Sequence, residues 1–271
     1  MKKVIFIFSI FILTLNLNSS PVMKMVEELV DKNSFRQHRS LINKIFENDK
    51  KFMQKGQVNI ISVLRKLKTN GILKLFLNKP KSIKISFRGK DNPIFFMKIV
   101  SDSLQDLGYF KYRVLKAEKN KRGFVWTIEF ISDYILDPTL LYSSLVKKGC
   151  KIIGIHRNAL LQWSYSIDTT NAILNVPSLI KNKKLRLKTP VFDYWLKVNG
   201  GKTIKFATVS NNRWHPYISF YNKKLVLIKV FKDDRRRKYL KLKIPKYTKY
   251  VKITDIYILN NMKNGLTVEL K

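Results

Sequence analysis

The sequence predicts an α+β protein: N-terminal helices, a ferredoxin-like βαββαβ domain and a C-terminal all-β, jelly-roll-like sandwich. Three observations carry that expectation. Apolar residues recur at helical spacing before residue 71, and a strand–helix–strand order occurs twice between residues 81 and 156. From residue 183 onward, eight short alternating runs follow one another with turn formers between them. The expected boundaries are a leader at 1–19, a helical region at 20–71, the α+β domain at 72–170 and the sandwich at 171–271.

The first element is an address. "MKKVIFIFSIFILTLNLNSSP" places Lys2 and Lys3 before an apolar run from Val4 to Leu15, followed by short polar residues, the order of a secretory signal. The run is shorter than the roughly twenty residues a bilayer-crossing helix needs. A cut after Ser19 leaves Ser20 and Pro21 at the new terminus, and no lipobox cysteine lies nearby. The expected location is periplasmic or secreted, with no transmembrane segment in the mature chain. Cys150 is the sole cysteine, so no intramolecular disulfide can form. It opens an apolar run after "KKG" and reads as a buried structural thiol.

Residues 22–56 read as helical, with a second piece capped at Asn33 and a stripe of Phe35, Leu41, Ile42, Ile45, Phe46 and Phe52. "NIISVLRKLKTNG" begins at an Asn cap and stops at Gly71. Then "KSIKISFRG" alternates as a strand, and "DNPIFFMKIVSDSLQDLG" carries the start signal Asp/Asn before Pro93 and the stop signal Gly108. "YFKYRVLKA" is the next strand. The cycle repeats as strand "GFVWTIEFI", helix "DPTLLYSSLVKKG" and strand "CKIIGIH", with "KNKRG" as the hairpin turn between the halves. Right-handed crossovers put both helices on one face of the sheet. "LLQWSYSID", 160–168, reads as an added edge strand.

In the last domain the basic stretch "KVFKDDRRRKYLKLKI" reads as a β-hairpin between 225–231 and 238–244 with "DDRRR" as its turn. Leu240, Leu242 and Ile244 point one way; Tyr239, Lys241 and Lys243 point the other, onto a solvated face. The aromatics of "DYWLKV" and "NRWHPYISFYN" supply Tyr194, Trp195, Trp214, His215, Tyr217 and Tyr221, either as core or as a sugar-stacking face.

The formal net charge is +36, from 54 basic and 18 acidic side chains, and 45% of the residues are apolar. The apolar share excludes a disordered basic tail, and the charge opens polyanions as partners: nucleic acid, anionic lipid, lipopolysaccharide phosphate or acidic protein. No catalytic constellation accompanies it. The three histidines fall in different predicted units, and no zinc spacing, phosphate-binding glycine loop or nucleophile elbow is present. Asp137 is better placed to cap a helix than to pair with Asp133. Asp193, Asp255 and Asn260 read as a calcium or turn set. No cofactor and no metal is expected, and the chain reads as a non-enzyme. "RGFVWTIE" fits part of the RNA-recognition motif through Arg122, Gly123, Phe124 and Trp126, but Glu129 and Lys84 stand where stacking aromatics belong. With the leader in front, nucleic acid is not the expected partner.

"YWLKV", "WHPYISFYNKKLVLIKV" and "IPKYTKYVKITDIYILNNMKNGLTVEL" resemble a family of secreted proteins of AT-rich Gram-negative bacteria described as involved in flagellar motility. The likeness covers about residues 194–270 and brings no catalytic residue. It implies a role in flagellar motility, through envelope or motor contacts; with the leader and the charge, the expectation is a periplasmic, non-enzymatic binding or assembly protein whose partner is an anionic envelope component or a flagellar protein. The alternatives are a carbohydrate- or peptidoglycan-binding module, and an RNA-binding protein if the chain is not exported. The candidate binding residues are Arg235, Arg236, Arg237, Lys241 and Lys243, with Trp195, Trp214, His215 and Tyr217 beside any pocket.

Overall fold

The computed structural model describes residues 20–90, 92–208 and 211–271; the leader read at 1–19 lies outside them. The chain is mixed α and β. It divides into two compact units: one runs to Lys74 and takes in His156–Leu160, and the other comprises Leu75–Ile155 and Leu161–Lys271. Residue 71 lies near the end of the first unit's leading segment, and residue 170 lies within the second unit.

In the first unit, α1 (Pro21–Leu29) is capped by Ser20, whose Oγ accepts the Met23 N–H at 3.1 Å, and Pro21 occupies the first turn. The second helix is capped by Asp31 rather than Asn33: Asp31 Oδ1 accepts the Ser34 N–H at 2.9 Å. His38, at φ −111° and ψ 15°, breaks that helix into α2 (Lys32–Gln37) and α3 (Arg39–Phe46). Of the expected stripe, Ile42, Phe46 and Phe52 are buried, with the two rings 4.7 Å apart, while Leu41 is exposed. A two-residue turn joins β1 (Met53–Gln54) to β2 (Gln57–Val58). Helix α4 (Ile60–Thr69) begins at Asn59, which caps the Ser62 N–H, and ends at Gly71 in the left-handed region. The buried Arg157 donates to the Leu29 carbonyl at 3.2 Å, satisfying an orphan acceptor at the end of α1.

The second unit opens with β3 (Phe76–Gly89), α5 (Pro93–Asp106), β4 (Arg113–Asn120), β5 (Gly123–Tyr134), α6 (Pro138–Lys147), β6 (Lys151–Ala159, of which His156–Ala159 belong to the first unit) and β7 (Gln162–Asp168). The predicted starts hold: Asn92 caps α5 and Asp137 caps α6, each just before a proline. Lys148 and Ser144 both donate to Asp106, joining the ends of the two helices. Burial opposes ionisation of that carboxyl, but the two hydrogen bonds outweigh it and its pKa is lowered. Cys150 is buried, as expected of a structural thiol.

The sheet order is β4-β5-β3-β7-β6. Thus 162–168 is an internal strand, parallel to β3, and not an edge. Trp163, Ser164 and Tyr165 are buried in succession, so both faces of this strand are covered. One face of this sheet carries Ile85, Phe87, Phe124, Trp126 and Ile128, all buried, and Phe124 meets Phe96 of α5 at 5.9 Å. Phe124 and Trp126 therefore lie under helix, and the stacking platform of an RNA module is not formed. The opposite face presents Val125, Thr127 and Glu129, the last bound by Ser82 Oγ at 2.7 Å and by Arg113.

The remaining strands are β8 (Ser178–Leu179), β9 (Lys184–Leu187), β10 (Tyr194–Val198), β11 (Thr203–Thr208), β12 (Pro216–Tyr221), β13 (Leu227–Lys232), β14 (Tyr239–Lys243), β15 (Tyr250–Asp255) and β16 (Leu266–Leu270). Each of the eight predicted runs contains one. They form a five-stranded sheet, β13-β12-β15-β10-β8, and a four-stranded sheet, β14-β11-β16-β9. Leu196, Ile218, Phe220 and Ile253 of the first share one core with Ile204, Phe206, Val268 and Leu270 of the second.

The basic stretch is not a hairpin. β13 is an edge of one sheet and β14 an edge of the other, so "DDRRR" is the corner where the chain crosses between them. Alternation assigns faces correctly but says nothing of which strand is the partner. The corner is pinned by backbone bonds from Asp233 to Pro216 and from Arg237 to Trp214. Its carboxylate, Asp233, accepts the Arg235 N–H at 3.1 Å, Arg235 Nε at 3.2 Å and Arg237 Nε at 2.6 Å.

Two predictions follow from this geometry. Gly123 has φ +127°, and a Cβ there would lie 2.5 Å from the Gly89 carbonyl oxygen. Gly123→Ala should destabilise the protein by about 2 kcal/mol or more, read as a lower urea midpoint. The Arg235 N–H, then the two guanidinium groups, hold Asp233 at a pKa of about 2. Because this folded value lies below that of a free carboxyl, the stabilisation is complete above about pH 4 and is lost as pH falls through about 2. A carboxyl-carbon NMR titration of Asp233 should show that low midpoint, and Asp233→Asn should remove this component of acid sensitivity.

Candidate anion-binding surface

Period-two burial decides what the four-stranded sheet shows to solvent. Leu187, Ile204, Phe206, Leu266, Val268 and Leu270 turn inward to the shared core, and Leu240 and Leu242 pack against it. Their neighbours must turn outward: Lys184 and Arg186 on β9, Glu269 on β16, Lys205 on β11, and Tyr239, Lys241 and Lys243 on β14.

Register then sets which charges meet. Lys205 stands directly opposite Lys241 on one side and opposite Glu269 on the other, and Glu269 stands opposite Lys184. Lys243 faces Thr203, and Arg186 faces Thr267, so neither has a cross-strand carboxylate. Glu269 is the one acidic side chain among these outward positions, and Lys271 already binds it at 2.6 Å. That bond, reinforced by Lys205 and Lys184, lowers the pKa of Glu269. Like charges directly opposite in a sheet are destabilising, by about 0.2–1 kcal/mol a pair. The chain holds this face together against its own charge.

The predicted residues divide among several places. Lys241 and Lys243 lie on this face. Arg235 and Arg237 sit in the corner with their charge turned onto Asp233, whereas Arg236 is exposed and makes no ion pair with a described residue. Trp214 is core: it is fully buried, its ring lies 5.9 Å from Phe206, and its Nε1–H is donated to the Thr254 carbonyl at 3.0 Å. Trp195 and Tyr217 are half-buried on the outer face of the five-stranded sheet. Trp195 leans on Tyr221 at 5.1 Å, and Lys98 of α5 lies over its ring at 5.7 Å. His215 meets Tyr257 edge-on at 5.0 Å. Trp214 thus lies inside the core, whereas Trp195 and Tyr217 lie on the outer face.

The calcium reading of Asp193, Asp255 and Asn260 gives way to the turn reading. Asp193 is paired with Lys252 at 2.7 Å. Asp255 is spent on four N–H donors: the backbones of His215, Tyr257 and Ile258, and the Asn261 amide. Among the described residues no group of three or more His, Cys, Asp or Glu could hold a metal ion, and no helix is long and apolar enough to cross a membrane.

Sequence reasoning missed Lys184, Arg186 and Lys205 as companions of Lys241. The alternation in "KKLRLKT" and "KTIKFATV" marks them as outward-pointing, so half of the signal was present. The other half, the order β14-β11-β16-β9, joins strands far apart in sequence and is invisible to a local pattern. No protein-family model matches this chain, and no curated protein matches it.

Proposed function

We propose that the chain is a periplasmic, non-enzymatic binding or assembly protein that attaches to an anionic envelope component through the outer face of its four-stranded sheet. The observation that supports this most directly is Lys205 flanked by Lys241, on a face whose single outward carboxylate is already shared with Lys271. Charge of one sign held at a cost to the fold favours a partner that supplies the other sign. Sugar stacking is less well supported, because Trp214 is internal and the Trp195 ring is partly covered by Lys98. RNA stacking has even less support, since the aromatics of "RGFVWTIE" lie under helix.

In finer terms, we read the α+β part as a ferredoxin-like βαββαβ arrangement widened by β7, and the two facing sheets as jelly-roll-like. The role in flagellar motility rests on the resemblance of residues 194–270 alone. Export rests on the leader.

Co-sedimentation with phosphatidylglycerol vesicles and with purified cell wall tests the attachment. Binding should fall steeply with added salt, as exposed charges are screened beyond about 10 Å at 0.1 M. Lys205→Glu with Lys241→Glu should abolish binding at a cost in stability of about 1 kcal/mol, because the new carboxylates would stand opposite each other and one of them opposite Glu269. Salt-resistant binding, or binding that survives the double variant, would overturn the proposal. Separately, a strain lacking the protein should swim poorly; normal swimming would remove the motility role.

A further inference from the structure

A second cationic feature lies on the β4-β5-β3-β7-β6 sheet of the same unit. Where β3 and β7 end beside the β4–β5 turn, the face turned away from α5 forms a cleft of about 760 Å³. That volume is within the range of small-molecule sites, about 300–1,000 Å³. Four basic residues line it: Arg88 and Lys90 at the end of β3, Lys116 on β4, and Arg122 in the turn. Register brings them together, for Arg88 stands between Val125 and Ser166, and Lys116 stands opposite Thr127.

The charges in the cleft are not equally engaged. Lys116 is bound to Glu118 at 2.8 Å. Asp168, the acid in the lining, is turned onto its own loop, with Oδ1 accepting the Thr170 N–H at 2.9 Å and Oγ–H at 2.6 Å. Arg88, Lys90 and Arg122 form no ion pair with a described residue. Around them stand hydroxyl groups, with Ser86 and Thr127 bonded to each other at 2.9 Å, and the apolar surfaces of Val125 and Ile153. Ile153 is 62% exposed, an apolar side chain with nothing of the described chain over it.

We propose that this cleft is a binding site for a small phosphate ester, whose phosphate is held by Arg88, Lys90 and Arg122 and whose organic part lies over Val125 and Ile153. Two guanidinium forks and an ammonium match three phosphate oxygens with charge-assisted hydrogen bonds. The hydroxyl groups of the lining suit a polyhydroxylated carbon skeleton better than a bare hydrocarbon. This site shares no residue with the flat face of the four-stranded sheet, so each stands or falls separately.

The test uses the full chain and two probes, inorganic phosphate and glycerol 3-phosphate, followed by amide NMR and calorimetry. Both should shift the Ser86, Val125, Thr127 and Ser166 signals in a saturable way, and the ester should bind more tightly. Arg88→Gln with Arg122→Gln should weaken binding about tenfold or more, the scale of one or more lost charge-assisted bonds. Lys205→Glu with Lys241→Glu should leave it unchanged. Should the double arginine variant fold poorly, Lys90→Gln serves in its place, with a loss of several-fold expected. Non-saturable shifts spread over both sheets, equal affinity for the two probes, or affinity indifferent to Arg88, Arg122 and Lys90 would overturn the assignment.

Discussion

A chain with 54 basic and 18 acidic side chains has few carboxylates to place, and where it places them decides what holds together. Asp31 caps α2 and Asp137 caps α6. Asp106 ties the ends of α5 and α6, and Asp233 pins the corner between the two facing sheets. Asp255 gathers four donors where the chain leaves β15. Each of these acids sits at a junction, where it satisfies backbone or side-chain donors that burial would otherwise leave unmet. Basic side chains left without such a partner gather, among other places, on the flat face and in the cleft.

This division explains why the two cationic regions differ in character. On the four-stranded sheet the lysines are spaced by the strand repeat, and no cavity is needed to display them; such a surface matches an extended, repetitive partner. The cleft is made by strand ends and a turn, so its cations converge from three elements on one volume. Convergence is what a compact ligand requires. One composition thus produces two arrangements of cations, and the difference comes from the position of each residue along its strand.

The parts of the architecture that were legible in the sequence are the local ones. Asn59, Asn92–Pro93 and Asp137–Pro138 start the helices that their types foretell, and the eight alternating runs each hold a strand. What could not be read is pairing. The position of β7 between β3 and β6, the corner at Asp233 and the juxtaposition of Lys205 with Lys241 all depend on segments distant in sequence. The same limit explains "RGFVWTIE": its alternation was correctly seen, but which side the helices cover is settled elsewhere in the chain. Trp214 was left open between core and a sugar-stacking face, and its fully buried ring with Nε1–H donated to Thr254 takes the core side.

The two strands that flank the Asp233 corner have a further importance. Each ends a sheet, and each therefore offers a row of unpaired backbone groups; β13 adds exposed Leu227, Ile228 and Val230. Bare rims of this kind template pairing with another copy, and lysine along the rim is a common guard against it. Lys229, Lys232, Lys241 and Lys243 supply that guard here. An anionic surface that neutralises them would also lower the barrier to edge-to-edge joining, so molecules crowded on such a surface would be the ones free to polymerise.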